Sequence, residues 1–216
     1  MNLIIFGPPG AGKGTQSGLI VNDFYLKQVS TGDLLRKETK LQTELGKKIE
    51  SILNTGEQES DEVVNTFIEK FISDPNNFNR LIFDGYPRTI SQIYSLEKIL
   101  KKFNQKISIV LSLSVDKDII SKRINGRITC SKCFKIFNVY FNPPDLKSHD
   151  CEKKYLKKRN DDDFQTILNR FETYINKINP ILDYYKKAKS LSEIDGNQKI
   201  DEIYNKINGI LENIRD

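Results

Sequence analysis

Short apolar segments alternate with longer amphipathic segments along most of the chain. Strands are predicted at Leu3–Phe6, Leu81–Phe83, Ile107–Val115 and Leu191–Ile194. Each is a short apolar or alternating run, and three of them end at a turn that contains glycine. Helical periodicity predicts a helix that begins near Gly14 and further helices at Asp61–Ile72, Thr89–Phe103, Asp116–Asn125, Phe164–Ala188 and Lys199–Ile214. This alternation predicts an α/β fold in which helices cover both faces of a parallel sheet.

Two segments do not follow the alternation. Residues 30–59 contain two short helical patterns and no strand pattern. Residues 126–162 contain a Cys-x-x-Cys pair, two consecutive prolines, the single histidine of the chain and many lysines. Both segments are interpreted as insertions into a core that consists of residues 1–29, 60–125 and 163–216.

The composition is that of a globular protein, since 38% of the 216 residues are hydrophobic and 29% are charged. The apolar runs are too short to span a bilayer, and the first residues have no basic segment of the kind that targeting peptides carry. We therefore expect a cytoplasmic protein without a membrane partner. The net charge of +5 is interpreted as solvated lysines, although binding to a polyanion is the alternative.

The run Gly7–Lys13 (GPPGAGK) has the spacing of a phosphate-binding loop between a strand and a helix. Its glycines let backbone N–H groups close around phosphate oxygens, and the helix N-terminus adds partial positive charge. Lys13 supplies a mobile positive charge for the outer phosphates. The generic motif has Ser or Thr directly after the lysine, but Gly14 stands there and Thr15 follows. Thr15 is therefore not assigned as a direct Mg²⁺ ligand.

The longer string Gly7–Gln16 (GPPGAGKGTQ) resembles the P-loop of the adenylate kinase family. Three further matches follow in the family's order: Ser30–Arg36 (STGDLLR), Asp84–Arg88 (DGYPR) with Gln92, and Arg159–Asp162 (RNDD) with Arg170. The resemblance extends from Met1 to about Gln198. It implies a three-layer P-loop kinase fold, in which residues 30–59 form a helical AMP-binding arm and residues 126–162 form a long lid that can bear a metal.

The resemblance also implies the reaction ATP + AMP = 2 ADP, with Mg²⁺ accompanying ATP. Arginine suits such chemistry because its planar guanidinium binds phosphate with two donors and stays charged. By the resemblance, the catalytic residues are Lys13, Arg88, Arg127, Arg159 and Arg170. The ATP contacts are Gly10, Ala11, Gly12, Lys13, Gly14, Thr15, Arg123, Arg127, Ile136, Phe137 and Gln198. The AMP contacts are Thr31, Arg36, Glu57, Gln58, Glu59, Gly85, Tyr86, Pro87, Arg88, Gln92, Arg159 and Arg170.

Some of these assignments have competing interpretations. Asp84 follows a buried strand and is assigned to ordering Mg²⁺ through water, but it could instead cap the turn at Gly85. Gln92 can offer a donor and an acceptor to the AMP base, but it could instead complete a helix capping box. Gln58 and Glu59 stand where the family usually has apolar residues beside the base. If the backbone makes these contacts, the change is tolerated, whereas contacts by the side chains would alter the affinity for AMP or the base preference.

The cysteines of the second insertion have the spacing of half a zinc knuckle. By the family pattern, the second pair of ligand positions falls on His149 and Glu152, although the thiolate of Cys151 is the better ligand by its chemistry. The predicted zinc ligands are therefore Cys130, Cys133, His149 and Cys151, with Glu152 as the alternative fourth ligand. Four protein ligands leave no open coordination position, so such a metal would be structural. The alternatives are a lid without metal and, less favoured, a redox pair.

Two rival functions are weighed against the resemblance. A related kinase of UMP or CMP would carry a similar P-loop but would generally lack the long lid and Thr31. A P-loop regulator that binds ATP and uses its lysine-rich insertion on nucleic acid would not need the complete arginine set. The partners expected are therefore ATP, AMP and ADP, without nucleic acid, and a monomer is expected.

Overall fold

The computed structural model describes residues 1–41, 43, 44, 46, 47, 49, 60–133, 135–145, 149–158 and 164–215. The described strands are β1 (Asn2–Phe6), β2 (Lys27–Ser30), β3 (Leu81–Asp84), β4 (Ile107–Ser114), β5 (Arg127–Cys130), β6 (Ile136–Asn138), β7 (Leu156–Lys157) and β8 (Leu191–Asp195). Five of them form one parallel sheet in the order β2-β3-β1-β4-β8. The other three form a separate antiparallel sheet in the order β6-β5-β7.

Seven α-helices lie within the described residues. They are α1 (Lys13–Phe24), α2 (Thr31–Thr39), α3 (Asp61–Ser73), α4 (Ile90–Lys102), α5 (Lys117–Asn125), α6 (Phe164–Lys187) and α7 (Ile200–Arg215). Short 3₁₀ turns occur at Pro75–Asn77 and Lys153–Tyr155. All six predicted helices and all four predicted strands are present, with their ends within two residues of the prediction. Among these described helices, none combines the length and the apolar character that crossing a membrane requires.

The helices cover the two faces of the parallel sheet, as the fold class predicts. Side chains alternate along a strand, so Ile4 of β1 points to one face and Leu3 to the other. The face with Ile4 packs against α3, α4 and α6, whereas the face with Leu3 packs against α1 and α7. Each fully buried aliphatic side chain contributes about 1.5–3 kcal/mol through its removal from water. This burial fixes the sheet as a rigid base for the loops at its edge.

The fifth strand of the sheet, β2, was not predicted from the sequence. Its four residues, KQVS, include a single buried apolar side chain, Val29, so the segment lacks the apolar run of a central strand. It lies at the edge of the sheet and pairs with β3 in parallel register, with Ser30 opposite Asp84. The Ser30 hydroxyl then accepts a hydrogen bond from the Asp33 N–H and caps α2. Strand β2 thus brings the start of α2 beside the end of β3.

The strands β5–β7 of the small sheet lie within the predicted second insertion, where the sequence analysis named no strand. They have two to four residues each, which is too short for a clear pattern of alternation. Few apolar side chains are buried there, and Cys130 and Phe137 are the buried ones among the described residues of these three strands. The small sheet consequently has little hydrophobic core of its own.

Candidate active site

The phosphate-binding loop lies at the carboxyl end of β1, in the middle of the parallel sheet. Gly12 is the N-cap of α1 and has φ = 94°, and Gly10 has φ = 82°. A Cβ atom at Gly10 would lie 2.8 Å from Cγ1 of Ile124. Position 12 therefore requires glycine for its backbone conformation. Position 10 requires glycine for the same reason and also because a Cβ atom there would clash with Ile124. Ligands of open α/β sheets bind at this edge, outside the carboxyl ends of the strands.

Lys13 begins α1, and its ammonium group folds back over the loop. Its Nζ donates hydrogen bonds to the carbonyl oxygens of Gly7, at 2.7 Å, and Pro8, at 3.0 Å. Burial lowers the pKa of Lys13 to about 8; nearby arginines lower it further, and the carboxylate of Asp84 opposes both effects. The arginines are Arg88, Arg170 and Arg127. Positive charges are thus gathered close together, an arrangement that polyanionic phosphates would stabilise.

A cleft of about 100 Å³ opens beside Lys13 at the carboxyl ends of β1 and β3. Arg88 and Arg170 line it together with Lys13. The Nε of Arg88 donates to the carbonyl oxygen of Gly85 at 2.6 Å. Burial and the charge of Arg170 lower the pKa of Arg88 to about 10, while Asp84 opposes this shift and Arg36 adds to it. The charges of Arg88, Arg170 and Arg127 therefore act on Lys13, and those of Arg170 and Arg36 act on Arg88.

Residues of α6 complete the cleft, and they were not predicted from the sequence. They include Thr173, Tyr174, Lys177 and Ile178. Burial raises the pKa of the Tyr174 hydroxyl, and a hydrogen bond with Ser112 opposes the shift. These residues follow Arg170 within two helical turns, so the helix periodicity that starts from Arg170 could have found them.

Asp84 lies at the end of β3 with one carboxylate oxygen engaged. Its Oδ2 accepts a hydrogen bond at 3.0 Å from Nε2 of Gln28, which belongs to β2. This contact depends on the pairing of β2 with β3, so Gln28 could not be recognised without the strand. A carboxylate at this point is suited to Mg²⁺, which proteins usually hold through one or two carboxylates, water and substrate phosphates.

Arg123, at the end of α5, connects three segments of the site. Its guanidinium donates to the carbonyl oxygens of Ala11, at 3.2 Å, and Gln198, at 3.4 Å. The ring centroid of Phe141 lies 5.8 Å from the guanidinium carbon, close enough for a cation–π contact. Burial lowers the pKa of Arg123. Phe141 was also not predicted from the sequence, because it lies eighteen residues after Arg123 and no local pattern links the two.

The two predicted ATP contacts of the small sheet have different surroundings. Ile136 approaches the P-loop closely, since its Cδ1 lies 3.0 Å from the position that a Cβ of Gly14 would take. The side chain of Phe137 is instead buried and packs edge-on against the ring of His149, with ring centroids 4.9 Å apart. Any contact between Phe137 and a nucleotide would therefore involve its backbone.

The predicted AMP contacts lie on the other side of the cleft. The hydroxyl of Thr31 donates to the carbonyl oxygen of Gly85 at 3.0 Å, and Pro87 lines the cleft. The hydroxyl of Tyr86 donates its proton to Oδ1 of Asn65 at 2.6 Å, with the carbonyl oxygen of Gln92 as a second, longer acceptor at 3.2 Å, so its side chain belongs to the core beneath the cleft. Arg36 forms an ion pair with Asp33 at 2.6 Å.

Gln92 makes three hydrogen bonds besides the one that its carbonyl oxygen accepts from Tyr86. Its N–H donates to the hydroxyl of Thr89, the N-cap of α4, at 3.1 Å. Its Oε1 accepts from the backbone N–H of Arg88 at 2.6 Å, and its Nε2 donates to Oδ1 of Asp61 at 2.6 Å. The capping box is thus present in a modified form, because the Gln92 side chain binds the N–H of Arg88 instead of that of Thr89.

The four predicted zinc ligands converge around Cys130, at the end of β5. The ligand atoms of Cys130, Cys133, His149 and Cys151 all lie within 4.8 Å of one another. His149 Nε2 is 3.5 Å from Sγ of Cys133. Burial would raise the pKa of Cys130, but backbone N–H groups of Cys133 and Lys132 and side-chain hydrogen bonds with His149 and Cys133 lower it to about 6.

The alternative fourth ligand, Glu152, lies apart from this cluster. Its carboxylate forms an ion pair with Lys154 at 2.9 Å, and its side chain is 68% exposed. Two sulfurs at a tetrahedral zinc ion are about 3.8 Å apart, which follows from a Zn–S distance of about 2.3 Å. The ligand atoms of Cys130, Cys133, His149 and Cys151 therefore fit a tetrahedral metal ion, and the cluster includes Cys151 in place of Glu152.

The remaining predicted contacts lie outside the described residues. They are Glu57, Gln58, Glu59 and Arg159. The effect of Gln58 and Glu59 on AMP binding therefore stays a prediction.

Comparisons with known proteins agree on one family. Residues 5–190 match the model of the family described as adenylate kinase. A protein named adenylate kinase from Pelagibacter ubique is 47% identical over 98% of this chain and 99% of its own length. A protein of the same name from Methanothrix thermoacetophila is 38% identical over 98% of this chain and 98% of its own length. Another from Archaeoglobus fulgidus is 37% identical over the full length of each chain.

Proposed function

This chain belongs to the adenylate kinase family and transfers a phosphoryl group reversibly between ATP and AMP, and on that premise we propose catalytic and binding roles for the residues of its cleft. The observation that carries the proposal is the gathering of Lys13, Arg88 and Arg170 around one cleft at the carboxyl edge of the sheet. Burial is the main cause of both lowered pKa values, about 8 for Lys13 and about 10 for Arg88, and neighbouring arginines lower both further. Such a site favours a transition state rich in negative charge.

In the proposed mechanism, the protein positions the two nucleotides and provides fixed positive charge. An oxygen of the AMP phosphate attacks the γ-phosphorus of ATP, and the bond from that phosphorus to the bridging oxygen breaks, which leaves two molecules of ADP. The transferred group carries its charge on three equatorial oxygens, so clamping by cations is the main catalytic effect. An ionised AMP phosphate needs no general base, and we assign none.

We propose separate roles for the cations. Lys13 leaves the carbonyl oxygens of Gly7 and Pro8 and binds the outer phosphates of ATP. Arg88 and Arg36 hold the AMP phosphate, whereas Arg127, Arg159 and Arg170 surround the transferred group. The half-buried guanidinium of Arg123 lies along the ATP adenine, supported by its bonds to the Ala11 and Gln198 carbonyls. The P-loop residues Gly10–Thr15 enclose the phosphates, and Thr31 and Gln92 contact the AMP base.

Mg²⁺ bound to ATP would neutralise phosphate charge and orient the γ-phosphate. Asp84 is the residue suited to hold such an ion. Its Oδ2 accepts a hydrogen bond from Gln28, and its Oδ1 would accept hydrogen bonds from the water ligands of the ion. We propose that Asp84 holds the water ligands of the ion, because a carboxylate at a strand end is a common partner for Mg²⁺.

We propose that residues 126–162 form a lid held by structural Zn²⁺, and that residues 30–59 form an AMP-binding arm. The small sheet has little hydrophobic core, and its four potential ligands fit tetrahedral coordination. The lowered pKa of Cys130 favours the thiolate, which is the form that binds a metal. The alternative of a redox-active cysteine pair is less favoured, because such pairs usually stand at the start of a helix, whereas Cys130 ends strand β5.

The protein is proposed to act as a cytoplasmic monomer on small nucleotides, without a nucleic-acid partner. A single assay tests the proposal against its rivals: initial rates with ATP and each of AMP, UMP, CMP and GMP, in the absence of nucleic acid. We expect AMP to be strongly preferred. A preference for UMP or CMP would instead indicate the related pyrimidine kinase, and no transfer at all would favour the P-loop regulator.

A further inference from the structure

The carboxylate of Asp61 is the hydrogen-bond partner of the Gln92 amide. Asp61 is half-buried at the start of α3, and the side chain of Gln92, in the first turn of α4, is 3% exposed. We propose that Asp61 determines the base preference of the monophosphate site by fixing the orientation of the Gln92 amide. This inference rests on the proposed contact between Gln92 and the base of AMP.

A glutamine amide has two nearly isosteric orientations that differ in which side carries the oxygen. Each of the two groups that bond to the Gln92 amide has a fixed hydrogen-bonding role. The backbone N–H of Arg88 can only donate, and it lies 2.6 Å from Oε1. The carboxylate of Asp61 can only accept, and it lies 2.6 Å from Nε2. The inverted orientation would place two N–H groups together at Arg88 and two oxygens together at Asp61, so it is excluded.

The fixed orientation leaves Gln92 with one N–H and one lone pair for a ligand. Adenine offers the matching groups on its Watson–Crick edge, since N1 accepts a hydrogen bond and the 6-amino group donates one. Guanine and hypoxanthine offer the reverse, an N1–H that donates and an O6 that accepts. A site with a fixed polarity rejects the mismatched ligand strongly, because buried polar groups are then left unpaired.

The surroundings of Asp61 hold it in place for this role. It lies in the first turn of α3, where the helix dipole stabilises a carboxylate. Helices α3 and α4 pack together in the core through Ile68, Ile93 and Leu96, among others. The Tyr86 hydroxyl lies between the two helices, 2.6 Å from Oδ1 of Asn65 on α3 and 3.2 Å from the Gln92 carbonyl oxygen on α4, and the two acceptors share its proton. Asp61 and Gln92 therefore stand on two helices whose separation is fixed by packing.

The test compares acceptor preference between the parent protein and Asp61→Asn. Asparagine is nearly isosteric with aspartate, but its amide can donate as well as accept. Residue 61 could then bond to Oε1 of an inverted Gln92 amide as well as to Nε2 of the present one. With ATP as donor, kcat/KM is measured for AMP, IMP and GMP. We expect the ratio of kcat/KM for AMP over that for IMP to fall about tenfold, the value of one hydrogen bond to a charged group. The matched control is Glu62→Gln, which removes the neighbouring exposed carboxylate and should leave the ratio unchanged.

Further variants separate orientation from stability. Asp61→Glu keeps an acceptor and should preserve the ratio within about threefold. Asp61→Ser suits a helix N-terminus and supplies a hydroxyl that donates or accepts, so it provides the same test if the asparagine variant folds poorly. Thermal unfolding of each variant reports its fold. A merely structural Asp61 would change stability, or the rates with AMP and IMP alike, but not their ratio.

The result that overturns the inference is an unchanged ratio in both folded neutral variants. Gln92→Ala then shows which proposal has failed. If Gln92→Ala raises KM for AMP while Asp61→Asn leaves the ratio intact, the base contact of Gln92 stands and the role of Asp61 is wrong. If Gln92→Ala leaves KM for AMP unchanged, the proposed base contact itself is wrong.

Discussion

The cleft beside Lys13 and the cluster of Cys130, Cys133, His149 and Cys151 each bring polar side chains together, but different structures support them. The cleft rests on a parallel sheet of five strands whose two faces are covered by helices. The cysteine cluster rests on a small antiparallel sheet of three strands with few buried apolar side chains. The cleft collects like charges, whereas the cluster collects groups able to ligate one metal ion.

This difference predicts opposite consequences of mutation. The core has ample hydrophobic burial, so it can hold the mutually repelling cations Lys13, Arg88 and Arg170 in position without nucleotide. Removing one of these charges should affect the reaction and leave the fold intact. The small sheet lacks such burial, and metal binding would contribute its folding free energy. Removing a ligand there should reduce stability more than activity.

The largest effect is expected for Lys13→Met. The methionine side chain fits the same space but removes a charge directed at oxygens that gain charge in the transition state. We expect kcat to fall at least about 100-fold. The circular dichroism spectrum should be unchanged, and the melting temperature should not fall, because the lowered pKa of Lys13 means that its buried charge costs stability below about pH 8. The control is Lys206→Met, an exposed position on α7, which should retain full activity. A folded Lys13→Met protein with near-normal turnover would contradict the role of the lysine.

A smaller effect is expected for Arg88→Lys, which keeps the charge but loses the planar, two-pronged donor. We expect kcat/KM for AMP to fall by about 10- to 100-fold, because a point charge cannot reproduce bidentate phosphate binding. Initial rates at varied AMP and saturating ATP measure this loss. Unchanged AMP dependence would mean that the bond from Arg88 to the Gly85 carbonyl is the main role of this side chain.

Cys130→Ser tests the other region. The cysteine is fully buried at the end of β5, and we expect the variant to lose zinc and to unfold about 2–8 °C lower, as a loss of about 1–2 kcal/mol would cause in a chain of this size. Activity at low temperature should fall far less than in the P-loop variant. Lys132→Ser, at the exposed position between the two cysteines, is the control. Elemental analysis that finds no zinc in protein purified without chelator would refute the metal site.

The smallest effect concerns the proton on Lys13. Its pKa lies near 8 in the nucleotide-free fold, against an ordinary value of 10.5. Between these values the unfolded chain binds more protons than the folded one, so this lysine makes the nucleotide-free protein more stable as pH rises through that window. Bound phosphates favour the ammonium form, so ATP binding should take up protons above about pH 8 and weaken as pH rises further.

Calorimetric titration with ATP at pH 8.5 measures this proton uptake, in two buffers that differ in ionisation enthalpy. The observed heats should differ between the buffers for the parent protein, and the difference should shrink in Lys13→Met. Equal heats in both buffers would contradict the lowered pKa.

The sequence by itself determined the helices, four strands of the core sheet and the phosphate loop. These features follow from local rules: apolar periodicity, the φ values open to glycine and the placement of a lysine at a helix start. The edge strand β2 was not predicted, because its four residues contain one buried apolar side chain and its pairing depends on β3, more than fifty residues later. The short strands β5–β7 were missed for a similar reason.

The choice among local alternatives was made by the tertiary structure. Counting residues placed Glu152 at a ligand position, but the chain path brings Cys151 to the cluster and leaves Glu152 with Lys154. The sequence offered Gln92 a capping role or a base contact, and packing of α3 against α4 added Asp61, a partner thirty-one residues away. Residue types and periodicity are local properties, whereas hydrogen-bond partners depend on the register between distant elements. The sequence therefore defined the chemistry available to the site, and only packing determined which groups meet.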